Sequence, residues 1–419
     1  MSGGDSAYPG GTKAGCRFCG APLRRTFVDL GMSPLCESYL TESELYGMEP
    51  FYPLRAFVCE RCFLVQLQAH VSGEEIFGKE YAYFSSYSDT WLEHCRSYVE
   101  QITERLHLGR QSKVIEIASN DGYLLRNFVA RGIPCLGVEP APNVAEAAVQ
   151  SGVPTVVEFF GTGLARKLEN IGWSADLLIA NNVVAHVSDL NDVVRGMKMI
   201  LAEDGVITIE VQHLLRLLER NQFDTIYQEH YCYFSLLVAR EVLAEHGLSV
   251  FDVEELSTHG GSIRIYARHA GGSPPLPSVA KLIEEEEAKG LRRIETYAAF
   301  GEKVAETKFR LLEFLIRARR EGRTVAGYGA PGKGNTLLNY CGIRTDMIDY
   351  VVDRNPYKQG RFLPGTHIPI YPPEKIAETE PDYVLILPWN LKEEIMGQLE
   401  YVRRWGAKFV IPIPELEIC

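Results

Sequence analysis

The sequence predicts an α/β protein of three units: a small cysteine-bearing module, a doubly wound parallel sheet, and a second, smaller strand-and-helix domain. Three observations carry this expectation. Two CxxC pairs stand near the start, Cys16-Arg17-Phe18-Cys19 and Cys59-Glu60-Arg61-Cys62. Short apolar strands alternate with helical segments from Lys113 onward. After a Gly/Pro-rich break, Gly271-Gly272-Ser273-Pro274-Pro275-Leu276-Pro277, the alternation resumes at Thr324. The expected boundaries are 1–80, 81–270 and 271–419.

A chain of 419 residues, 46% hydrophobic and 23% charged, can bury a large core in two or three domains without covalent staples. Its formal net charge of -12, with no dense block of Lys or Arg, argues against a nucleic-acid or anionic-membrane surface. No apolar run reaches the ~20 residues a membrane span requires. The leader, residues 1–15, has no hydrophobic signal core, so the expectation is a cytoplasmic protein with a mobile N-terminus.

Of the ten cysteines, the two CxxC pairs have the spacing of a tetrahedral Zn²⁺ site, each turn presenting two sulfurs to one ion. Redox dithiols and disulfides are the alternatives, and a reducing cytoplasm disfavours them. If Cys16, Cys19, Cys59 and Cys62 all bind, no ligand position is spare, so the metal is structural. A Tyr-rich connection over 80–87 follows, in which Tyr81 and Tyr83 either pack the module onto its neighbour or reach a cleft. Trp91, Tyr98, Ile102 and Leu106 then recur at helical spacing over 89–108.

The expected strands of the doubly wound sheet are Val114–Ile117, Cys135–Val138, Val156–Phe160, Leu177–Ala180 and Val206–Val211, with a helix over Tyr123–Arg131 and a closing strand over Ile263–Ala267. Such sheets bind ligands beyond the C-terminal ends of their strands. The first turn, Ala118-Ser119-Asn120-Asp121-Gly122, lacks the GxGxxG of a dinucleotide site. Glu116 lies inside the first strand, where it serves either a ligand or a basic neighbour. Glu139 ends the second strand, where a carboxylate can accept hydrogen bonds from both hydroxyls of a ribose. Asn181, Asn182 and His186 supply polar groups at the rim of the fourth.

Tyr227-Gln228-Glu229-His230-Tyr231, inside TIYQEHYCYFS, places a phenol, a carboxylate and an imidazole within four positions. This is either a proton-transfer site, given an imidazole with a pKa near neutrality, or a surface loop facing solvent. The glycines of Ser257-Thr258-His259-Gly260-Gly261-Ser262 allow close backbone approach to a ligand or make an ordinary turn. A long helical stretch is expected over Val279–Glu321, with Glu284 to Glu287 as a solvated face. In the third unit, strands over Thr324–Tyr328, Met347–Val352 and Tyr383–Leu387 accompany the turn Gly329-Ala330-Pro331-Gly332-Lys333-Gly334-Asn335-Thr336. Backbone donors at a helix N-terminus, with Lys333 as a cation, suit a diphosphate, although the spacing is not that of a Walker A loop.

The turn, the acid ending the second strand and the polar rim together resemble class I S-adenosylmethionine (SAM) methyltransferases. Joined in order, the paired CxxC module, EIASNDGYLL, ANNVVAHVSDLNDVV, IYQEHYCYFS, STHGGSIRIYARH and GYGAPGKGNTLLNYCGI resemble the zinc-containing sugar C-methyltransferases over nearly the whole chain. That family acts at C-3′ of nucleotide-linked 4-keto-6-deoxyhexoses in branched deoxysugar biosynthesis. The one departure noted is Ala118, at a position often occupied by glycine. The resemblance implies a zinc module, a central SAM domain and a C-terminal Rossmann-like domain enclosing one site. It implies His230 as base, Tyr227 as acid or oxyanion donor, Glu229 as an orienting or hydroxyl-contacting carboxylate, and Tyr81 and His186 around the sugar. Glu116, Ala118, Asn120, Asp121, Gly122, Glu139, Asn181 and Asn182 are the expected SAM contacts, and His259, Gly261, Lys333 and Asn335 the sugar-nucleotide contacts. The expected partner is a dTDP-linked rather than GDP-linked 4-ketosugar, bound by a monomer or small homo-oligomer. A SAM-dependent N- or O-methyltransferase, or a non-catalytic nucleotide-binding zinc protein, are the alternatives.

Overall fold

The computed structural model describes residues 15–77, 81, 84–87 and 89–419. The leader before Gly15, and Glu80, Ala82 and Tyr83 of the Tyr-rich connection, lie outside the described residues. Among the described residues, three sheets of four, seven and six strands form the framework. Among the described residues no helix is long and apolar enough to cross a membrane.

In the seven-stranded sheet, Val114–Ile117 lies between Cys135–Val138 and Ala175–Asn181, parallel to both. The chain therefore leaves this central strand to opposite sides, which opens a crevice at the strand's C-terminal end. Thr155–Val156 forms one edge. On the other side Leu201–Gln212 adds in parallel, and Ser262–His269 and Leu248–Leu256 close the sheet antiparallel. All four residues of Val114–Ile117 are buried, as expected where helices cover both faces of a parallel sheet.

Several elements differ from the sequence expectation. The third strand shrinks from Val156–Phe160 to two residues, because Phe159 and Phe160 turn to line a cavity. The first helix is reduced to Arg126–Ala130. Leu248–Leu256 was not anticipated; its acids Asp252, Glu254 and Glu255 mask the period-2 pattern of a half-buried edge strand. The long helical stretch breaks into Pro277–Ala288, Ile294–Ala298 and Phe300–Arg320, with Gly290 at φ 84 making the turn. The Glu284 to Glu287 run is not a uniformly solvated face. Glu286 is fully buried, accepting hydrogen bonds from the Leu236 and Leu237 amides at 2.6 and 2.8 Å and lying 2.7 Å from His213 Nε2.

The four-stranded sheet contains Arg25–Ser33, Tyr52–Val58 and Val65–Leu67. Its fourth strand is Cys232–Tyr233, from the stretch after His230, paired antiparallel with Val65 and Gln66. Beside this sheet the Sγ atoms of Cys16, Cys19, Cys59 and Cys62 lie within 4.8 Å of one another. Cys16–Cys62 and Cys19–Cys59 are each 3.5 Å apart. A tetrahedral Zn²⁺ with bonds of about 2.3 Å sets its sulfurs about 3.8 Å apart, so the cluster fits the ion. Gln66 Nε2 donates to Cys16 Sγ at 3.1 Å and the Arg61 amide to Cys59 Sγ at 3.4 Å. Such donors orient thiolate ligands.

The six-stranded sheet runs, by position, Ile370–Tyr371, Tyr350–Val352, Val325–Tyr328, Tyr383–Ile386, Lys408–Ile411 and Glu417–Ile418. The first five are parallel and the last is antiparallel. It docks on the zinc module through Tyr39, whose hydroxyl donates to the Ala330 carbonyl at 2.5 Å, and through Asn335 Nδ2, which donates to the Cys36 carbonyl at 2.6 Å. Gly260 seats Trp389: its φ is 88, and a Cβ there would sit 2.5 Å from the indole.

Metal analysis of the purified protein is expected to find about one zinc per chain, as for a four-thiolate structural site. Stripping it under reducing conditions should lower the thermal midpoint. Four freely titrating thiols with no metal would contradict this assignment.

Candidate active site

The three units meet around a cavity of about 800 Å³. The zinc module contributes Glu37, the seven-stranded domain contributes Glu139, His186 and His230, and the C-terminal domain contributes Lys333 and Lys358. Its floor is the crevice at the C-terminal ends of the parallel strands, where Ile117, Val138 and Asn181 line it.

On this floor Glu139 is buried and accepts the Ala141 and Asn120 amides at 2.9 Å each, which fix its carboxylate. Burial nevertheless pushes its pKa up to about 7. Ala118 and Asn120 both line the cavity with positive φ, 53 and 50. The left-handed backbone at Ala118 explains why glycine suits that position: a Cβ costs roughly 1 kcal/mol there. Asn181, with a buried Oδ1 that has no hydrogen-bond partner among the described residues, and Asn182 complete this side. Together these groups suit an adenosine ribose and an amino-acid end.

Three of the expected SAM contacts do not line the cavity. Glu116 is buried inside the sheet, where desolvation raises its pKa well above the ordinary carboxyl value. Asp121 accepts from the Ser86 amide at 3.2 Å. Gly122 has φ 78, and a Cβ there would meet Val153 at 2.8 Å, so it serves the turn.

The Tyr227 to Tyr231 stretch is not a solvent-facing loop. Gln228, Glu229 and Tyr231 are buried, and Tyr227, Glu229 and His230 line the cavity. His230 Nδ1 lies 2.8 Å from the Thr225 carbonyl. A carbonyl only accepts, so Nδ1 carries the proton and Nε2 keeps its lone pair. The rings of Tyr227 and His186 lie 4.0 and 4.5 Å from the His230 ring, centroid to centroid. Burial, with the nearby His186, holds His230 well below the ordinary imidazole value, and burial lowers His186 to about 4. Both are therefore neutral at physiological pH. Glu229 behaves in the opposite sense: burial, then Glu37, push it up to about 8. The Tyr81 hydroxyl donates to Glu229 Oε2 at 3.3 Å.

From the C-terminal domain, Lys333 donates from Nζ to Asn390 Oδ1 at 2.7 Å and lies 4.8 Å above the Trp389 ring. Burial lowers its pKa, opposed by Asp224. His259, at φ 53, accepts weakly from Asn182 Nδ2 at 3.4 Å and sits near Trp91. Both Lys333 and His259 line the cavity, whereas Gly261 packs against Arg216 and Asn335 is committed to the Cys36 carbonyl. Sequence reasoning missed Glu37, His94, Lys358 and Asn390, which also line it. Glu37 follows Cys36 in an irregular loop and Lys358 lies in another, so neither carries a periodic or motif signal; only tertiary docking brings them here.

The chain matches three family models in succession: "Putative zinc binding domain" over residues 16–77, "Methyltransferase domain" over 91–253 and "C-methyltransferase C-terminal domain" over 257–414. It is similar to the C-methyltransferase NovU of Streptomyces niveus, 36% identical over 401 residues that cover 96% of this chain and 95% of that protein. Among solved structures it is similar to a SAM-dependent methyltransferase from Clostridium acetobutylicum, at 12% identity and TM-score 0.35 over 43% of this chain and 92% of that one. Magnesium protoporphyrin IX methyltransferase from Synechocystis, with bound SAH, shows 14% identity and TM-score 0.35 over 43% of this chain and 83% of that one.

The raised carboxyl of Glu229 sets a sign for stability. The folded state holds a proton that the unfolded chain releases above its ordinary value of 4.5, so stability is lost as pH rises from there through about 8. The urea midpoint of the ligand-free protein is therefore expected to fall between about pH 6 and about pH 9, and Glu229→Gln should flatten that fall. An unchanged slope would show that Glu229 does not keep its proton in the fold.

Proposed function

The chain belongs to the SAM-dependent sugar C-methyltransferase family, with a class I methyltransferase sheet and a four-cysteine zinc module, and from that premise we propose that it methylates C-3′ of a nucleotide-diphospho-4-keto-6-deoxysugar. Thymidine is the expected nucleoside, and branched deoxysugar biosynthesis the setting. The observation that carries the reading is His230: a neutral imidazole with its proton fixed on Nδ1 and its lone pair on Nε2, in a cavity shared with Glu139 and Lys333.

SAM supplies an electrophilic methyl group, so the partner must supply a nucleophilic carbon. A ketone at C-4′ acidifies the C–H bonds of both neighbours, C-3′ and C-5′, and a base converts either into an enolate carbon. His230 removes the proton, and the Tyr227 hydroxyl steadies the developing charge on O-4′. The low basicity of His230 in the ligand-free cavity comes mainly from burial, with smaller contributions from His186, His259 and Lys333. A diphosphate beside Lys333 offsets the last of these, so substrate binding strengthens the base. Glu139, fixed by two amides, receives the ribose hydroxyls of SAM, with Ala118, Asn120, Asn181 and Asn182 around it. Glu116, Asp121 and Gly122 support this turn from behind. Tyr81, His186 and His259 surround the sugar, Asn335 ties the C-terminal domain to the zinc module, and Gly261 serves the turn that carries His259.

All ten cysteines are unpaired, which suits a reducing cytoplasm.

His230→Ala is expected to lower kcat by roughly 10²–10⁴-fold while SAM still binds. It should also stop deuterium entering the ketosugar from D₂O when SAM is absent, since exchange needs the base alone. Tyr227→Phe should slow exchange and methylation together, by less. Wash-in at C-5′ instead of C-3′ would relocate the reaction, and full exchange in His230→Ala would remove His230 as the base.

Lys333→Ala should raise the KM for the sugar nucleotide and leave that for SAM unchanged, because it removes ground-state binding of the diphosphate. Equal effects on both substrates would refute that placement.

A further inference from the structure

The corner of the cavity around Glu229 is built by all three units. Glu37 and Cys36 come from the zinc-module loop, Tyr81 from the connection, and Lys358 from the C-terminal domain. Tyr227 and His230 lie in the same loop as Glu229, and His186 in the turn beside them. Lys358 Nζ lies 3.5 Å from Glu37 Oε2, donates to the Ala330 carbonyl at 2.8 Å and sits 4.8 Å above the Tyr39 ring. Glu37 Oε2 is buried and, among the described residues, has no hydrogen-bond partner. A side-chain ion pair enclosed in this way is expensive to desolvate, and the docking of the domains is already secured by the Tyr39 and Asn335 hydrogen bonds. Its location against Glu229 gives it a use.

We propose that Glu37 and Lys358 are positioning residues for Glu229, their opposed charges setting the corner so that Glu229 presents a hydrogen-bond donor to a sugar oxygen. This rests on the function proposed above. Glu229 Oε2 is engaged by the Tyr81 hydroxyl, whereas among the described residues Oε1 has only the Cys36 thiol at 3.9 Å. Oε1 is therefore the oxygen suited to carry the proton and offer it to the ligand. Glu37 favours the protonated carboxyl and Lys358 opposes it, in keeping with the rise of Glu229 to about 8. A carboxyl held neutral by burial can donate where a carboxylate can only accept. Burial and Glu37 thus keep Glu229 a donor at neutral pH, and Lys358 limits how far that proton is held.

The two charges must act in opposite directions, and this is what a merely structural role would not reproduce. The test follows kcat/KM for the sugar nucleotide against pH at saturating SAM, in wild type and four variants. Wild type is expected to lose activity on an alkaline limb set by Glu229. Glu37→Gln should move that limb down by about one pH unit, and Lys358→Met should move it up by about as much, as for loss of a nearby charge. Lys358→Arg should restore the wild-type position, and Glu229→Gln, which donates at every pH, should abolish the limb. SAM affinity, measured by calorimetry, serves as the check that each variant is folded. If Lys358→Met fails that check, the opposite shift in Glu37→Gln and the restored position in Lys358→Arg decide the matter. Limbs that stay in place, or move the same way in both variants, would overturn the proposal. A wild-type enzyme that methylates no ketosugar would instead overturn the function on which it rests.

Discussion

The short pairing of Cys232–Tyr233 with Val65–Gln66 is the constraint on which the site depends. It makes the segment after His230 a strand of the zinc module, although it belongs in sequence to the methyltransferase domain. The Leu67 amide donates to the Tyr231 carbonyl at 2.9 Å, Gln228 Nε2 to the Ser33 carbonyl at 3.1 Å, and the Tyr231 hydroxyl to the Val71 carbonyl at 3.0 Å. On the other side, Thr336 Oγ1 donates to the Ile226 carbonyl at 3.2 Å. The loop from Ile226 to Tyr233 is thus tied to both flanking units. A structural metal placed away from the cavity therefore influences chemistry through position: it holds the sheet that holds the loop that presents His230 and Glu229.

Burial in this cavity drives acids and bases in opposite directions. Carboxyls are pushed toward their protonated forms and imidazoles toward their neutral forms, so the cavity carries less charge than its residue list suggests. Such a site sets neutral imidazoles and raised carboxyls beside the Glu37–Lys358 ion pair and Lys333.

Much of this was legible in the sequence where local chemistry is repetitive or spaced. The CxxC pairs, the apolar parallel strands and the acid ending the second strand announce themselves within a few residues, whereas the Tyr227 to His230 cluster reads as a site only when joined to the other motifs. What was hidden depends on tertiary placement. Nothing near Glu37 or Lys358 distinguishes them from solvated charges until the domains dock. Glu286 reads as surface in a run of four acids, and only the Leu236 and Leu237 amides with His213 show why it is buried. The glycines of the Ser257 to Ser262 turn invite a ligand reading, yet Gly260 yields space to an indole from another domain. Ala118 is the reverse case: an unusual residue whose positive φ explains the preference it departs from.

The central claim is that this one cavity brings a nucleotide-linked ketosugar carbon to the methyl group of SAM. The most direct measurement is turnover of a thymidine-diphospho-4-keto-6-deoxyhexose with SAM labelled by carbon-13 in its methyl group, with the product analysed by NMR. The account predicts a labelled methyl bonded to C-3′, next to the ketone, with the nucleoside diphosphate intact. A labelled methoxy or N-methyl group, or no transfer to a ketosugar that binds, would contradict it.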